Sequence, residues 1–533
     1  MRSLSRPKFT GLFPDEVSAD SHWIREQGLV ELPPLAGVKE IAIHGMLLPP
    51  PAGDTAASGP LGLSVVYKER VVAHAPRLAP GPFVLRFAPD ATDGRGRRLS
   101  LQLLGVRWSN LRAWLGRVTG FGPWQPWRRQ ARNRRLRIAR IAADGEVLFD
   151  FSNRASPWNV AFARRFLSVG ANLVGFFRAD LGIGESARCM ARAMDAAAIP
   201  TALVDLRLPC KNPMGDPSFA GRLQTAHPHP VTIVHVDPPG MRDLDHHHGA
   251  ALRNGKHTIG YWAWELPEFP DAWISFAGYC DEVWAPSHFA ADAIAAKVPV
   301  PVLAMPHAIA FERPPGDCRA KFGLPRDAFL FLFLYDLNSY SARKNPAAVL
   351  EAFRRSGLAG RGAALVVKVH NAASNPGDFA RLQRAAAELP GTVLIDATLS
   401  RRAIYELESA CDCFVSLHRS EGFGLAVAEC MYLGKPVIST DWSGTAEFVD
   451  ESNGCPVRAS LVALDRNHGP YAKGQIWAEP DAGHAAEWMQ RLFADRALAA
   501  RLGAAARETI EQRFSPSAIG ARYRRRLEAI AGW

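Results

Sequence analysis

Residues 418–445 read HRSEGFGLAVAECMYLGKPVISTDWSGT. The stretch has the grammar of a strand end, a glycine-bearing loop, a helix, a short turn and another strand. Glu421 and Glu429 bracket the loop and the first turns of the helix, with Gly422 and Gly424 between them. A helix N-terminus exposes unpaired N–H groups and carries partial positive charge, and glycines let a ligand approach that backbone closely. The helix is expected to begin near Phe423 or Gly424, so the loop can cradle an anion. If every intervening residue were helical, the two glutamates would lie about 12 Å apart along the axis. That exceeds the roughly 5–9.5 Å of a glycosidase carboxylate pair. Two separate jobs fit the spacing better, one on sugar hydroxyls and one on a ribose. Two solvated charges favoured by the helix dipole are the plainer alternative.

Outward from this stretch, strand-like and helix-like segments alternate from about residue 165 onward. FLSVGANLVGFF leads into RADLGIGESARCMARAMDAAAIP, and TALVDL, VTIVHVDP, HTIGYWAWE, DEVWAPS and VPVLAMPHAI follow. A second unit starts near residue 325 with DAFLFLFLYDLNS, then NPAAVLEAFRRSG and ALVVKVHN. This rhythm predicts an α/β protein with two doubly wound, Rossmann-like domains, over residues 161–315 and 316–513, facing a cleft at the carboxyl ends of their sheets. Residues 514–533 form a separate basic helix behind Pro516. Residues 36–160 alternate in short runs split by Pro, Gly and Asp, which predicts a small β-sandwich-like domain, a scaffold or a carbohydrate binder. Residues 1–35 are polar and mixed and read as a loosely packed extension.

The chain has 533 residues, 48% of them hydrophobic, and a net charge of +11. That length asks for several cores, and that charge favours anionic ligands or an anionic membrane face. Part of the charge is local. Trp108, Trp114, Trp124 and Trp127 interleave with Arg112, Arg117, Arg128, Arg129, Arg132, Arg134 and Arg135. A solvated basic loop with packed tryptophans is the first reading, an anionic membrane surface the second, and single-stranded nucleic acid the third. None of the eight cysteines forms a CxxC pair, and Cys411 and Cys413 alternate in an apolar run like buried thiols. Met1 is followed by RSLSRPKFTG, with no apolar leader, and the longest apolar run, FLFLFLY, is far short of a membrane span. A cytoplasmic protein is expected, peripheral on the inner face of the plasma membrane.

SEGFGLAVAECMYLGKPVISTDWSG resembles the signature of retaining, nucleotide-sugar-dependent glycosyltransferases of family 4, which have the GT-B fold. The resemblance covers about residues 165–515. It implies that Glu421 contacts the donor sugar and Glu429 the nucleotide ribose. The backbone of Gly422, Phe423, Gly424 and Leu425 would then face sugar and diphosphate. In SARKNPAAVLEAF, Arg343 and Lys344 precede a helix starting near Pro346, well placed to neutralise a diphosphate leaving group. Lys344 matches the family's lysine. The family's usual arginine falls near Asp336–Asn338, where this chain has none, and Arg343 is expected to compensate. Gly182 and Gly184 resemble the glycine loop that approaches donor phosphate or acceptor across the cleft, and a tight turn opening a helix is the alternative. Arg188 adds charge one turn later. The resemblance also points to His235 facing the donor sugar, against a structural histidine, and Glu265 is expected at the acceptor. His418 and Arg419 are expected on the phosphate side, and His307 near the interdomain hinge. Tyr471, Trp477 and Glu479 resemble a recurring segment without a known role. His246–His248 reads as a polar loop. No metal or cofactor is expected; the partners are a nucleotide-sugar donor and a glycan or lipid-linked acceptor, with no nucleic acid. A sugar-nucleotide epimerase, a phosphorylase and a non-catalytic binding protein are the competing readings.

Overall fold

The computed structural model describes residues 9–14, 22–32, 38–50, 59–67, 70–89, 98–104, 135–152, 170–316 and 318–531. The chain divides into two compact units, one centred on Gly170–Leu527 and the other on Ser3–Val169. Apart from Arg135, the tryptophan–arginine stretch lies outside the described residues. Arg135 itself is buried and donates to the Leu48 carbonyl at 2.9 Å.

The described strands of the Ser3–Val169 unit pair antiparallel throughout. Its described strands are β1 (Phe9–Pro14), β2 (His22–Glu31), β3 (Ile41–Leu47), β4 (Gly62–Tyr67), β5 (Arg70–Ala75), β6 (Gly81–Phe87), β7 (Arg98–Leu104), β8 (Leu136–Ala143) and β9 (Glu146–Asp150). They join in one nine-stranded sheet of order β5-β4-β7-β2-β8-β3-β6, with β1 on β2 and β9 on β8. Two of these strands lie inside the first 35 residues, so the expected loose extension is part of the sheet. HWIREQGLVE lacks clean alternation, and β2 is held instead by pairing with β1, β7 and β8. One apolar cluster, including Leu63, Leu101, Ile138 and Phe149, forms the core of this unit.

The Gly170–Leu527 unit has two lobes, each with a parallel six-stranded sheet. The N-terminal lobe carries β10 (Ala171–Gly175), β11 (Thr201–Asp205), β12 (Val231–His235), β13 (His257–Tyr261), β14 (Glu282–Ala285) and β15 (Val302–Ala304), in the order β11-β10-β12-β13-β14-β15. Its helices are α1 (Gly182–Ala196), α2 (Leu244–His248) and α3 (His288–Ala295). The C-terminal lobe carries β16 (Phe329–Asp336), β17 (Ala363–His370), β18 (Thr392–Asp396), β19 (Cys413–Ser416), β20 (Val437–Thr440) and β21 (Cys455–Val457), in the order β18-β17-β16-β19-β20-β21. FLFLFLYD is apolar on both sides because β16 is central and covered on both faces. The helices here are α4 (Ser341–Lys344), α5 (Pro346–Ser356), α6 (Pro376–Ala387), α7 (Arg401–Ala410), α8 (Leu425–Tyr432), α9 (Ala482–Ala494) and α10 (Arg496–Arg513). Both sheets present their carboxyl ends to the cleft, as a doubly wound pair does.

Two segments cross between the lobes. A hairpin, β22 (Ala459–Ala463) and β23 (Ile476–Pro480), follows the last strand of the C-terminal sheet. Leu464, Tyr471 and Trp477 from this hairpin belong to the apolar core of the N-terminal lobe, beside Trp262, Trp264 and Phe269. Helix α11 (Pro516–Ala531) also returns to that lobe. Tyr523 donates to the Pro306 carbonyl at 2.8 Å and stacks on Trp284, and Arg526 pairs with Glu282. Among the described residues no helix is long and apolar enough to cross a membrane, and Cys411 and Cys413 are buried free thiols.

Candidate active site

A cavity of about 760 Å³ lies between the lobes. The C-terminal lobe lines it with Arg343, Lys344, Lys368, His370, Arg401, the loop Glu421–Val427 and Glu429. The N-terminal lobe supplies Asp180–Ile183, Glu185, Arg188, Asp237, Ala263–Glu265 and His307.

The Glu421 loop is shaped by its glycines. Gly424 caps α8 with φ 94°, and an added Cβ would meet the Thr445 methyl at 2.5 Å. A Cβ at Gly422 would stand 2.9 Å from the Trp264 carbonyl oxygen, so Gly422 is where the lobes approach closely. Phe423 is buried and turns its ring to His307, Phe448 and Phe514. His418, expected on the phosphate side, is fully buried. Its ring bonds Ser416 at 3.0 Å and Thr445 at 3.1 Å and pins the loop from behind.

Glu421 pairs with Lys344 and, at 3.1 Å, with Arg343, and its backbone N–H donates to Ser443 Oγ at 2.9 Å. Burial alone would raise the Glu421 carboxyl, but Lys344 and Arg343 outweigh it and hold the group at about 2. The two cations sit on α4, a four-residue turn bounded by Tyr340 and Asn345, both left-handed with φ 61° and 56°. Asn345 tolerates that conformation and caps α5, with Pro346 in the first turn. The pair was expected to face a diphosphate. Only Lys344 keeps partial access, with 22% of its side chain exposed. Arg343 is buried, donates to the Ser420 carbonyl at 2.9 Å and lies under Tyr471, so it clamps the loop.

Glu429, in the second turn of α8, bonds Arg401. Arg401 also reaches Glu185 of the other lobe at 3.5 Å. Burial raises Glu429 to about 7 against the pull of Arg401, and Glu185 adds to the rise. Beside it, Glu408 is fully buried with neither carboxylate oxygen bonded, and burial pushes its carboxyl well up.

On the N-terminal side several expectations change. His235 does not reach the cavity. It is fully buried, bonded to Ser186 Oγ at 2.9 Å and stacked on Tyr261. The strand end VTIVHV is apolar on both faces, so alternation could not show which way His235 points. Arg188 is 1% exposed and held by Glu185, Asp216 and the Phe177 and Ala179 carbonyls, while its Nη2 is buried without a hydrogen-bond partner among the described residues. Gly182 opens α1 with free space around it, whereas a Cβ at Gly184 would strike the Phe176 carbonyl at 2.6 Å. Glu265 accepts from Tyr471 at 2.9 Å and lies 3.8 Å from Arg343. Trp477 packs beneath Arg419, which pairs with Glu479 at 2.7 Å.

Asp237, Arg401 and Lys368 were not singled out from sequence. Asp237 follows the end of β12, where polar residues of parallel sheets meet ligands. Arg401 carried a signal too: α7 opens with two arginines, where the helix dipole favours acids.

Comparison with known families bears on the lobe that carries Glu421 and Lys344. Residues 317–509 match the family model described as Glycosyl transferases group 1. The chain carries a glycosyl transferases group 1 domain. That domain contains α4, the Glu421 loop, α7 and α8, and thus the whole C-terminal wall of the cavity. Over 110 residues the chain is 28% identical to the alpha-1,3/1,6-mannosyltransferase ALG2 of Homo sapiens, covering 21% of this chain and 22% of that one. The match thus spans about a fifth of that relative's length. The sucrose-phosphate synthase of Thermosynechococcus elongatus superposes with a TM-score of 0.51 at 16% identity, covering 68% of this chain and 99% of that one. This likeness shows that the two share the GT-B fold. Anabaena Alr3699/HepE, crystallised with UDP and glucose, gives a TM-score of 0.49 at 15% identity over the same shares.

Proposed function

We propose that the protein transfers a hexose from a nucleotide-sugar to a hydroxyl of a glycan or lipid-linked acceptor, with retention of anomeric configuration, as a family 4 enzyme. The observation that carries this reading is Glu421, kept ionised by Lys344 and Arg343 at the N-terminal end of α8 on the cavity wall. In this reading Glu421 accepts bonds from donor-sugar hydroxyls and Glu429 holds the ribose. The Gly422–Leu425 backbone and Lys344 meet the diphosphate. The bond from the anomeric carbon to the phosphate oxygen breaks and the acceptor oxygen bonds on the same face. The acceptor proton passes to the departing diphosphate, whose charge Lys344 stabilises. The cavity lies between two lobes whose closure over the donor would exclude water from it.

GDP- or UDP-linked mannose or glucose is the donor class, supported by the segment similar to a mannosyltransferase. Work at the cytoplasmic face of a membrane on polysaccharide or lipopolysaccharide intermediates belongs to the same proposal. It is supported by the net charge of +11 and the tryptophan–arginine stretch, and flotation with anionic vesicles tests it. The decisive assay incubates radiolabelled nucleotide-sugars with acceptor extract. Transfer that disappears in Glu421→Gln is the expected result, and an epimerised nucleotide-sugar without transfer overturns the reading.

A further inference from the structure

Near its carboxyl end β17 departs from the pattern of a core strand. Leu365, Val367 and Val369 on one face pack into the lobe's apolar core. The opposite face carries Lys368 and His370, two residues apart. Lys368 is 4% exposed, and it lines the cavity. Its ammonium has no hydrogen-bond or ion-pair partner among the described residues. His370 lines the cavity too, and its Nδ1 is buried without a partner. A buried ammonium left unpaired is costly, and it gains most from a ligand that supplies an acceptor.

The surroundings narrow that ligand. Burial pulls the Lys368 ammonium down to about 8, so it still holds its proton at neutral pH. The charges that act on it are Asp336, Arg401, Asp396 and Glu408. Three of those four are acids, so a phosphate placed there would be repelled, and an uncharged acceptor suits the ammonium better. Arg401 is also the partner of Glu429, which puts Lys368 at the ribose-holding end of the site. A nucleotide carries its base on the far side of the ribose from the diphosphate. The part-exposed Leu399, before α7, lines the cavity there and gives a flat ring an apolar surface. Guanine presents a keto oxygen beside N7, and uracil presents a keto oxygen at the corresponding edge. Adenine and cytosine carry an amino donor in that place.

We propose that Lys368 selects the base of the donor nucleotide, its ammonium donating to the keto oxygen of guanine or uracil and finding no such acceptor on adenine or cytosine. This rests on the nucleotide-sugar reading and names the side chain in that site that discriminates among bases.

The test measures binding of GDP, UDP, ADP and CDP to the full chain by calorimetry at neutral pH. The natural protein is expected to bind GDP or UDP about tenfold or more tighter than ADP and CDP. Lys368→Met keeps the apolar stem and removes the donor. It is expected to bring the preferred nucleotide down to the level of ADP and CDP while those two stay where they were. 6-Thio-GDP and 4-thio-UDP, in which sulfur replaces the keto oxygen as a weak acceptor, probe the same contact without a substitution. The thio form of the preferred nucleotide should bind the natural protein about tenfold more weakly than its parent. A preference that survives in Lys368→Met, an equal loss for all four nucleotides, or thio forms that bind like their parents overturn the proposal. Base-indifferent binding with radiolabelled sugar still transferred overturns it and leaves the transferase reading standing. No binding of any diphosphate together with no transfer overturns the transferase reading, and this proposal with it.

Discussion

The two walls of the cavity treat carboxylates differently. On the C-terminal wall Glu421 and Glu429 are each tied to cations from neighbouring turns, Lys344 and Arg343 for one, Arg401 for the other. On the N-terminal wall Glu185 is paired with Arg188 and Arg192, while Asp237 is solvent-exposed without a counter-ion among the described residues and Glu265 is held mainly by a tyrosine hydroxyl. A wall of paired charges is preorganised and fixes where an ionic ligand sits. The two walls thus differ in how many of their acids face the cavity without a charged partner.

The sharpest way to break this contrast is to unpair the C-terminal wall. Lys344→Ala leaves Glu421 without its more accessible cation and removes charge from the departing diphosphate. The rate of sugar transfer is expected to fall about 100–1000-fold, measured as turnover with saturating donor. Glu421→Gln should fall by a similar factor.

The next test concerns Glu429. Burial raises its carboxyl to about 7, so the ionised, ribose-holding form is lost as pH falls through neutrality. Donor affinity by calorimetry is expected to weaken from pH 8 to pH 6. In Glu429→Gln it should be about tenfold weaker at pH 8 and flat with pH, a difference of about 1.4 kcal/mol.

Gly424→Ala probes the loop's geometry rather than its charge. At φ 94°, with the Thr445 methyl 2.5 Å from the new carbon, the substitution should cost about 2 kcal/mol in denaturant unfolding. The smallest effect belongs to the N-terminal wall. Tyr471→Phe removes the bond to Glu265 and should cost about 1 kcal/mol, with a reduced melting temperature as the readout.

Acid adds a further check on the paired wall. Glu421 is held below its unfolded value, so its contribution is present above about pH 4.5 and is lost as pH falls toward 2. Acid unfolding of Glu421→Gln should begin from a lower stability and show a shallower dependence on pH in that window.

The sequence made some layers legible and hid others. The loop around Glu421 and the turn with Arg343 and Lys344 could be read because short-range requirements fix them: glycine at a left-handed cap, proline opening a helix, asparagine before it. The structure brings these segments, 77 residues apart, to one carboxylate. The alternation of strand and helix likewise gave both parallel sheets. His235 was misplaced because β12 is apolar on both faces, so period-two reasoning has no purchase on a buried parallel strand. Asp237, two residues on, is the one that reaches the cavity. β2 escaped notice because pairing on both sides stabilises a strand whose own pattern is mixed. The bond between Tyr471 and Glu265 spans 206 residues, and no local pattern encodes it.

The hairpin Ala459–Pro480 has a consequence for the order in which the chain is made. Synthesis delivers the N-terminal lobe first, and domains ordinarily fold as they emerge. Yet Leu464, Tyr471 and Trp477 complete that lobe's apolar core, and Tyr523 covers Trp284 at its edge. A nascent first lobe therefore carries an uncovered aromatic surface until the ribosome has nearly finished the second. The N-terminal lobe thus reaches its final packing only after the hairpin of the second lobe has been made.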